Sequence, residues 1–341
     1  MTLGEILDQA IRLYRRNFIC FIGIIAIPYI PLTLIQTGLT YLSTNSLTSF
    51  VNNPPSTFSM PSGYWTGFIG IILVALLQFI LVQGLAGAAL TRAVADSYTG
   101  QSVDILGSYG KIGSSWIRLL GAMILFALIA FVVLIGAIFI PCAGWLIGPG
   151  VFIFLSLVVG PLLAPIVILE QQGSGTSLRR AWDLGRSRFW WLLGFALVLS
   201  LLSQLIITAP GYLIRTLLQS MLAGQGSYIN MLVWSSVIQT LVSMLGGLLY
   251  LPLQLCAMMV VYFDLRVRTE GLDLAMQAAA NAGTETNIVA LTGTSPKSSS
   301  SLVTGAEVGQ FILVSIATVA IYAILIGIVM AATLALASAF Q

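Results

Sequence analysis

The sequence predicts an all-α integral membrane protein, and three observations carry that prediction. Only 14 basic and 11 acidic residues stand among 341, far below the charged share of a soluble domain. Apolar types make up 58% of the chain and the mean hydropathy is +1.01, which leaves too little polar surface to cover a fold in water. The charges are also grouped, so that the intervals 17–91, 119–169 and 308–341 contain none. A charge at the bilayer centre costs about 2.5–3.5 kcal/mol even on the lenient insertion scale, so long gaps of this kind mark spans.

Within the gaps the apolar blocks come in pairs. Residues 18–41 and 66–90 flank a stretch rich in Ser, Thr, Asn and Pro, which reads as a helical hairpin with an uncharged loop. Residues 119–140 and 146–169 form a second pair, joined by a turn containing Pro141, Gly144, Gly148 and Pro149. Residues 189–209, ending at Pro210, and 239–263 form a third. A last block, Phe311 to Leu336, lies within 307–341. Each exceeds the roughly 20 residues a crossing helix needs. The expected architecture is therefore a six-helix bundle of three hairpins over 1–275, a flexible tether over 276–306, and a seventh transmembrane helix over 307–341. The tether is assigned on its Ala, Asn, Gly, Thr and Ser content, which buries too little apolar area to order itself.

Each hairpin is preceded by a short amphipathic stretch, at about 2–16, 102–116 and 177–188. In the first, Leu3, Ile6, Leu7, Ala10, Ile11 and Tyr14 share one face, and Thr2 with Glu5 has the spacing of a capping box. All three are expected to lie on the membrane surface as interfacial helices, making a unit of surface helix plus hairpin used three times. Trp116, Trp182, Trp190 and Trp191 belong to the aromatic belt at headgroup depth. Small-residue spacings, Gly63 with Gly67, Gly84 with Ala88 and Gly144 with Gly148, fit close helix packing.

Orientation follows from the basic residues. With the N-terminus inside, every Lys and Arg except Arg215 falls on the cytoplasmic side, and all the acids sort with them. The C-terminus is then extracytoplasmic. Glu5 and Asp8, ahead of a long first apolar block, argue against a cleaved signal peptide, so the first helix is expected to remain.

Little is offered for bond-making. Histidine is absent; Cys20, Cys142 and Cys256 lie far apart in apolar surroundings, with no base beside them, nor beside Asp96, Asp104 or Glu170. No phosphate loop, dinucleotide fingerprint, metal spacing or serine elbow is present. The expectation is no enzyme, no cofactor, no metal and, with a net charge of only +3 spread over membrane borders, no nucleic acid. The spans carry amides and hydroxyls instead: Gln36, Gln78, Gln83, Ser156, Ser200, Ser203, Gln204, Thr208, Gln239 and Gln254. Interhelical hydrogen bonds of about 0.6 kcal/mol each account for most of them. Pro28, Pro31, Pro161, Pro165 and Pro252 read as tolerated kinks or as the broken helices of a transport site.

Three segments, LGEILDQAIRLYRRNF at 3–18, LRRAWDLGRSRFWWLLG at 178–194 and YFDLRVRTEGLDL at 262–274, together resemble the membrane-domain family named after glycerophosphoryl diester phosphodiesterase. The likeness covers about residues 1–275. It implies a six-helix bacterial membrane unit with cytoplasmic ends, with the seventh span as an addition. It does not imply the phosphodiesterase chemistry, which in the fused enzymes belongs to a separate soluble barrel using His and metal-binding carboxylates. Physically, the last motif is the exit of the sixth span, with Tyr262 as interfacial anchor and Asp264 spaced to pair with Arg268.

The functional expectation is a non-catalytic scaffold or accessory subunit of a larger complex in the bacterial plasma membrane. The alternative is a transporter or pore for a neutral or amphiphilic small solute. Candidate contacts to lipid headgroups, anionic ones included, or to partners are Arg12, Arg15, Arg16, Arg179, Arg180, Arg186, Arg188, Asp264, Arg266 and Arg268, with 307–341 meeting other integral membrane proteins.

Overall fold

The computed structural model describes residues 2–52, 62–98, 100–139, 143–222, 228–274, 277 and 304–339; Cys142, Pro141 and most of the 276–306 tether lie outside them. Among the described residues there are helices and no strands. Seven helices among these residues are long and apolar enough to cross a membrane, so the chain is a multi-pass membrane protein.

Helix α1 (Leu3–Arg16) starts on the expected capping box: the Thr2 hydroxyl accepts from the Glu5 amide at 3.3 Å, and the Glu5 carboxylate accepts from the Thr2 amide at 2.9 Å. Much of its apolar face turns inward, with Ile11 left exposed. Ile6, Ala10, Leu13 and Tyr14 are buried, and the Tyr14 hydroxyl donates to the Leu249 carbonyl at 3.1 Å. The helix therefore packs against the chain's own sixth crossing.

Helix α2 (Phe18–Asn52) passes Pro28 and Pro31 and continues well beyond residue 41. Thr33, Thr37, Thr40 and Ser46 each donate to the carbonyl four residues earlier, at 2.8 to 2.9 Å, which satisfies the hydroxyls inside the helix and lets it continue. The second crossing is α3 (Ser62–Gln78), a π-helical segment (Phe79–Ala86) and α4 (Gly87–Tyr98) in series. Gly67 meets Ser43 so closely that a Cβ there would lie 2.7 Å from the serine Cβ, as the Gly63, Gly67 spacing anticipates.

Helix α5 (Ile105–Lys111) is shorter than the amphipathic pattern at 102–116, because Gly113 takes a φ of +50° and turns the chain into α6 (Ser115–Phe139). The Tyr109 hydroxyl donates to the Ile24 carbonyl at 2.6 Å, and burial pushes its phenol up to about 12. Helix α7 (Ala143–Leu169) carries Pro149, Pro161 and Pro165, with Gly144 and Gly148 pressed against Ala137 of α6.

After α8 (Ser174–Gly185), the fifth crossing runs as α9 (Phe189–Ser203), a π-helical segment (Gln204–Thr208) and α10 (Ala209–Leu222). Pro210 does not end it. Its ring would clash with the carbonyl of Ile206 in a regular helix, and Ile206 lies in the wider π turn. Helix α11 (Tyr228–Glu270) passes Pro252, and α12 (Gly305–Ala339) is the seventh crossing.

Burial is uneven along the crossings. Near the charged end, α4, the Val158–Leu169 part of α7 and the Cys256–Leu265 part of α11 are almost wholly enclosed. Elsewhere Leu128, Phe131, Val132, Leu201 and Leu205 face outward, as lipid-facing side chains do. Helix α12 docks on α7: the Gly150 amide donates to the Ser315 hydroxyl at 2.8 Å, and Phe311 meets Phe154 edge-on at 4.8 Å.

Candidate functional site: an ionic clamp and polar clefts

The charged end is tied together by a ring of four ionised side chains. On α11, Tyr262, Arg266 and Glu270 follow one another at four-residue intervals and so share a stripe. Glu170 directly follows α7, and Arg180 lies on the buried face of α8 with Ser177, Ala181 and Leu184. Arg180 Nε donates to Glu170 Oε2 at 3.1 Å, and its Nη2 pairs with Glu270. Arg266 Nε reaches Glu270 at 2.8 Å and its Nη1 reaches Glu170 at 3.3 Å. Charges thus alternate around a closed ring, and the Tyr262 hydroxyl adds a bond of 3.0 Å to Glu170. Breaking a buried pair by removing one partner costs about 3–5 kcal/mol, so the ring clamps the ends of α7, α8 and α11.

The turn that delivers Glu170 is held separately. Gln171 has a φ of 51°, an uncommon backbone for a residue with a side chain. Arg118 donates to the Gln171 carbonyl at 2.7 Å, while the Ser174 hydroxyl donates to the Arg118 carbonyl at 2.9 Å.

Around the ring lie looser pairs. Asp264 meets Arg268 at 3.0 Å, the spacing anticipated in the sequence, and Arg188 at 3.4 Å. Arg186 bridges Asp183 and Glu307, both at 3.3 Å, which links α8 to the start of α12. Asp96 meets Arg92 at 3.1 Å and Lys111 at 2.7 Å.

The candidate contact residues therefore divide. Arg12, Arg15, Arg16, Arg179 and Arg268 are exposed, Arg186 and Arg188 are half-buried, and Arg180, Asp264 and Arg266 are buried within the chain's own ion pairs. Tyr262 is wholly buried rather than anchored at a surface, because its hydroxyl serves Glu170 and Arg266. Trp182 is ringed by Phe154 at 5.3 Å and Phe311 at 6.5 Å, so it helps seat α12. Glu170 and Glu307 are the acids in these ion pairs that spacing alone does not reveal, whereas Glu270 stands four residues after Arg266.

The span amides and hydroxyls converge on clefts. One, of about 400 Å³ between α2, α3 and α11, is lined by Tyr29, Thr33, Gln36, Thr40, Gln78, Ser236, Gln239, Thr240, Ser243 and Met244. A second, of about 380 Å³, takes Ser156, Ser200, Ser203, Tyr250 and Gln254. It shares Gly160, Pro161, Gln254 and Met258 with a smaller interior space of about 140 Å³ that also contains Gln83. At the charged end a mixed-charge cleft of about 710 Å³ lies between Glu5, Asp8, Arg12 and Arg16 of α1 and Ser97 and Tyr98 of α4.

No protein-family model, curated protein or solved structure matches the chain. Its function is read from these side chains.

Proposed function

We propose that the chain is a non-catalytic scaffold or accessory subunit of a larger complex in the bacterial plasma membrane. In this reading the ionic clamp and the N-terminus are cytoplasmic, the C-terminus is extracytoplasmic, and the first six crossings pair as three hairpins with α1, α5 and α8 at the cytoplasmic ends. That arrangement agrees with the membrane-domain family that 3–18, 178–194 and 262–274 resemble. The exposed Arg12, Arg15, Arg16 and Arg179 favour anionic headgroups by about 1 kcal/mol each.

The observation that carries the proposal is the two-sidedness of α12. One face is fixed to the chain through Glu307, Phe311 and Ser315, while Ile312, Leu313, Ile316, Val319 and Tyr322 stay exposed. Held on one side only, the helix presents an apolar face to another membrane protein. Co-purification of the full chain in mild detergent, read by mass spectrometry, is the test. The expected result is a second integral membrane protein in fixed ratio, lost on removing 304–341 while insertion persists. A solitary monomer in lipid overturns the proposal.

The polar clefts favour a second reading, a carrier or pore for a neutral or amphiphilic solute. Amides and hydroxyls gathered at span depth, beside π-helical turns and Pro161, resemble the neutral linings of such paths. A proteoliposome flux screen with neutral solutes that stays silent removes it.

A further inference from the structure

We infer that the cleft between α2, α3 and α11, with Arg215 at its rim, binds a phosphate ester that carries a neutral, hydroxylated headgroup. Arg215 stands apart from every other basic residue. The walls of this region contain no acid at all: after Asp8 the next is Asp96, and after Asp183 the next is Asp264. Arg215 is half-buried, and among the described residues its Nη1 reaches the side-chain oxygen of Gln239, at 3.5 Å. Gln239 itself lines the cleft. Gly211, one turn before Arg215, faces the same wall, where a Cβ would lie 3.4 Å from Gln239 Cγ. Helix α10 therefore holds a cation without a counter-ion among the described residues, against a chamber of neutral polar groups.

That combination selects a chemistry. A guanidinium fork matches phosphate oxygens, and a lone cation at this depth is best neutralised by an anion. Amides and hydroxyls both donate and accept, which suits the hydroxyls of a polyol, and Gln78 is already aligned by its 3.0 Å bond to Gln36. An ammonium headgroup would find no carboxylate among the described residues of these walls. The depth fits a lipid headgroup: the Tyr41 and Trp234 rings lie 6.3 Å apart on α2 and α11 beyond Thr40 and Ser236, the place of an interfacial aromatic pair. The Thr33 to Thr40 wall begins roughly 22 Å along α2 from Phe18. The phosphate sits on Arg215 and the headgroup hydroxyls enter toward Gln36, Gln78 and Gln239.

The test uses the delipidated full-length chain. Dioleoylphosphatidylglycerol and dioleoylphosphatidylethanolamine compete for it and are counted by native mass spectrometry, and soluble glycerol 1-phosphate is titrated by calorimetry. Phosphatidylglycerol is expected to be retained about tenfold better than phosphatidylethanolamine, equivalent to about 1.4 kcal/mol. Read on an R12Q/R15Q/R16Q/R179Q chain, which lacks the exposed arginines' own attraction for anionic headgroups, R215Q and Q239L each remove that preference. Binding confined to the lipid arm identifies a membrane phospholipid; Arg215-dependent binding of glycerol 1-phosphate identifies a free ester. Equal retention of the two lipids by the unaltered chain, with no glycerol 1-phosphate bound, overturns the inference. So does a preference that survives R215Q in the chain lacking those four exposed arginines.

Discussion

Replacing Glu170 with Gln tests the ionic clamp most directly. The substitution keeps the shape of the side chain and removes its charge. Glu170 is fully enclosed and serves Arg180 at 3.1 Å, Tyr262 at 3.0 Å and Arg266 at 3.3 Å. Without it, two guanidinium groups whose side chains are only 9% and 3% exposed must share Glu270. An uncompensated buried charge of this kind costs about 3–5 kcal/mol. Asp264→Asn is the control, because its partners Arg188 and Arg268 are 31% and 44% exposed and water can take over their charges. Its cost is expected to be about 1 kcal/mol. Unfolding in mixed detergent micelles, followed by circular dichroism, gives both values. If Glu170→Gln costs no more than Asp264→Asn, the ring is not what holds α7, α8 and α11 together. Replacing Glu170, Arg180, Arg266 and Glu270 together with apolar residues of similar volume, and Tyr262 with Phe, should recover much of the loss, since no charge is then stranded.

Three other predictions test separate parts of the molecule. Gly150→Leu places a side chain into the Phe311 carbonyl and the Ser315 hydroxyl, so spin labels at positions 153 and 318, which line one cavity, should move apart; an unchanged distance refutes the docking of α12. Thr2→Ala removes the capping box of α1 and should cost about 1 kcal/mol, seen as faster amide exchange at residues 3–6; unaltered protection would show that packing on α11 alone fixes the helix start. A cysteine at Arg179, which is exposed, should react with a membrane-impermeant maleimide only after the cells are opened, and labelling of intact cells reverses the orientation.

The span pattern is legible in the sequence because the membrane penalises each charge locally, whatever the fold. Helix ends are less legible. Residues 42–52 read as loop on their Ser and Thr content, yet hydroxyls bonding back along the helix keep it going, and Pro210 reads as a stop that a preceding π turn accommodates. The amphipathic α1 announces an apolar face without saying whether lipid or α11 covers it. Asp264 with Arg268 and Arg266 with Glu270 are visible at four-residue spacing, whereas Arg180 meets Glu170 and Glu270 only because α8 folds back between α7 and α11. The amides of Gln36, Gln78 and Gln239 each read as packing; only the three-dimensional arrangement gathers them in one cleft.

The π turns at Phe79–Ala86 and Gln204–Thr208 act as phase shifters. Each wider turn takes up about one additional residue, and one residue is about 100° of azimuth in a helix of 3.6 residues per turn. Gln78 and Gln83 can consequently serve different chambers from one crossing. Deleting a single residue inside either segment would restore a regular winding and leave everything beyond it at the same azimuth, whereas deleting one from the regular turns beside it would rotate a whole wall of side chains by about 100°.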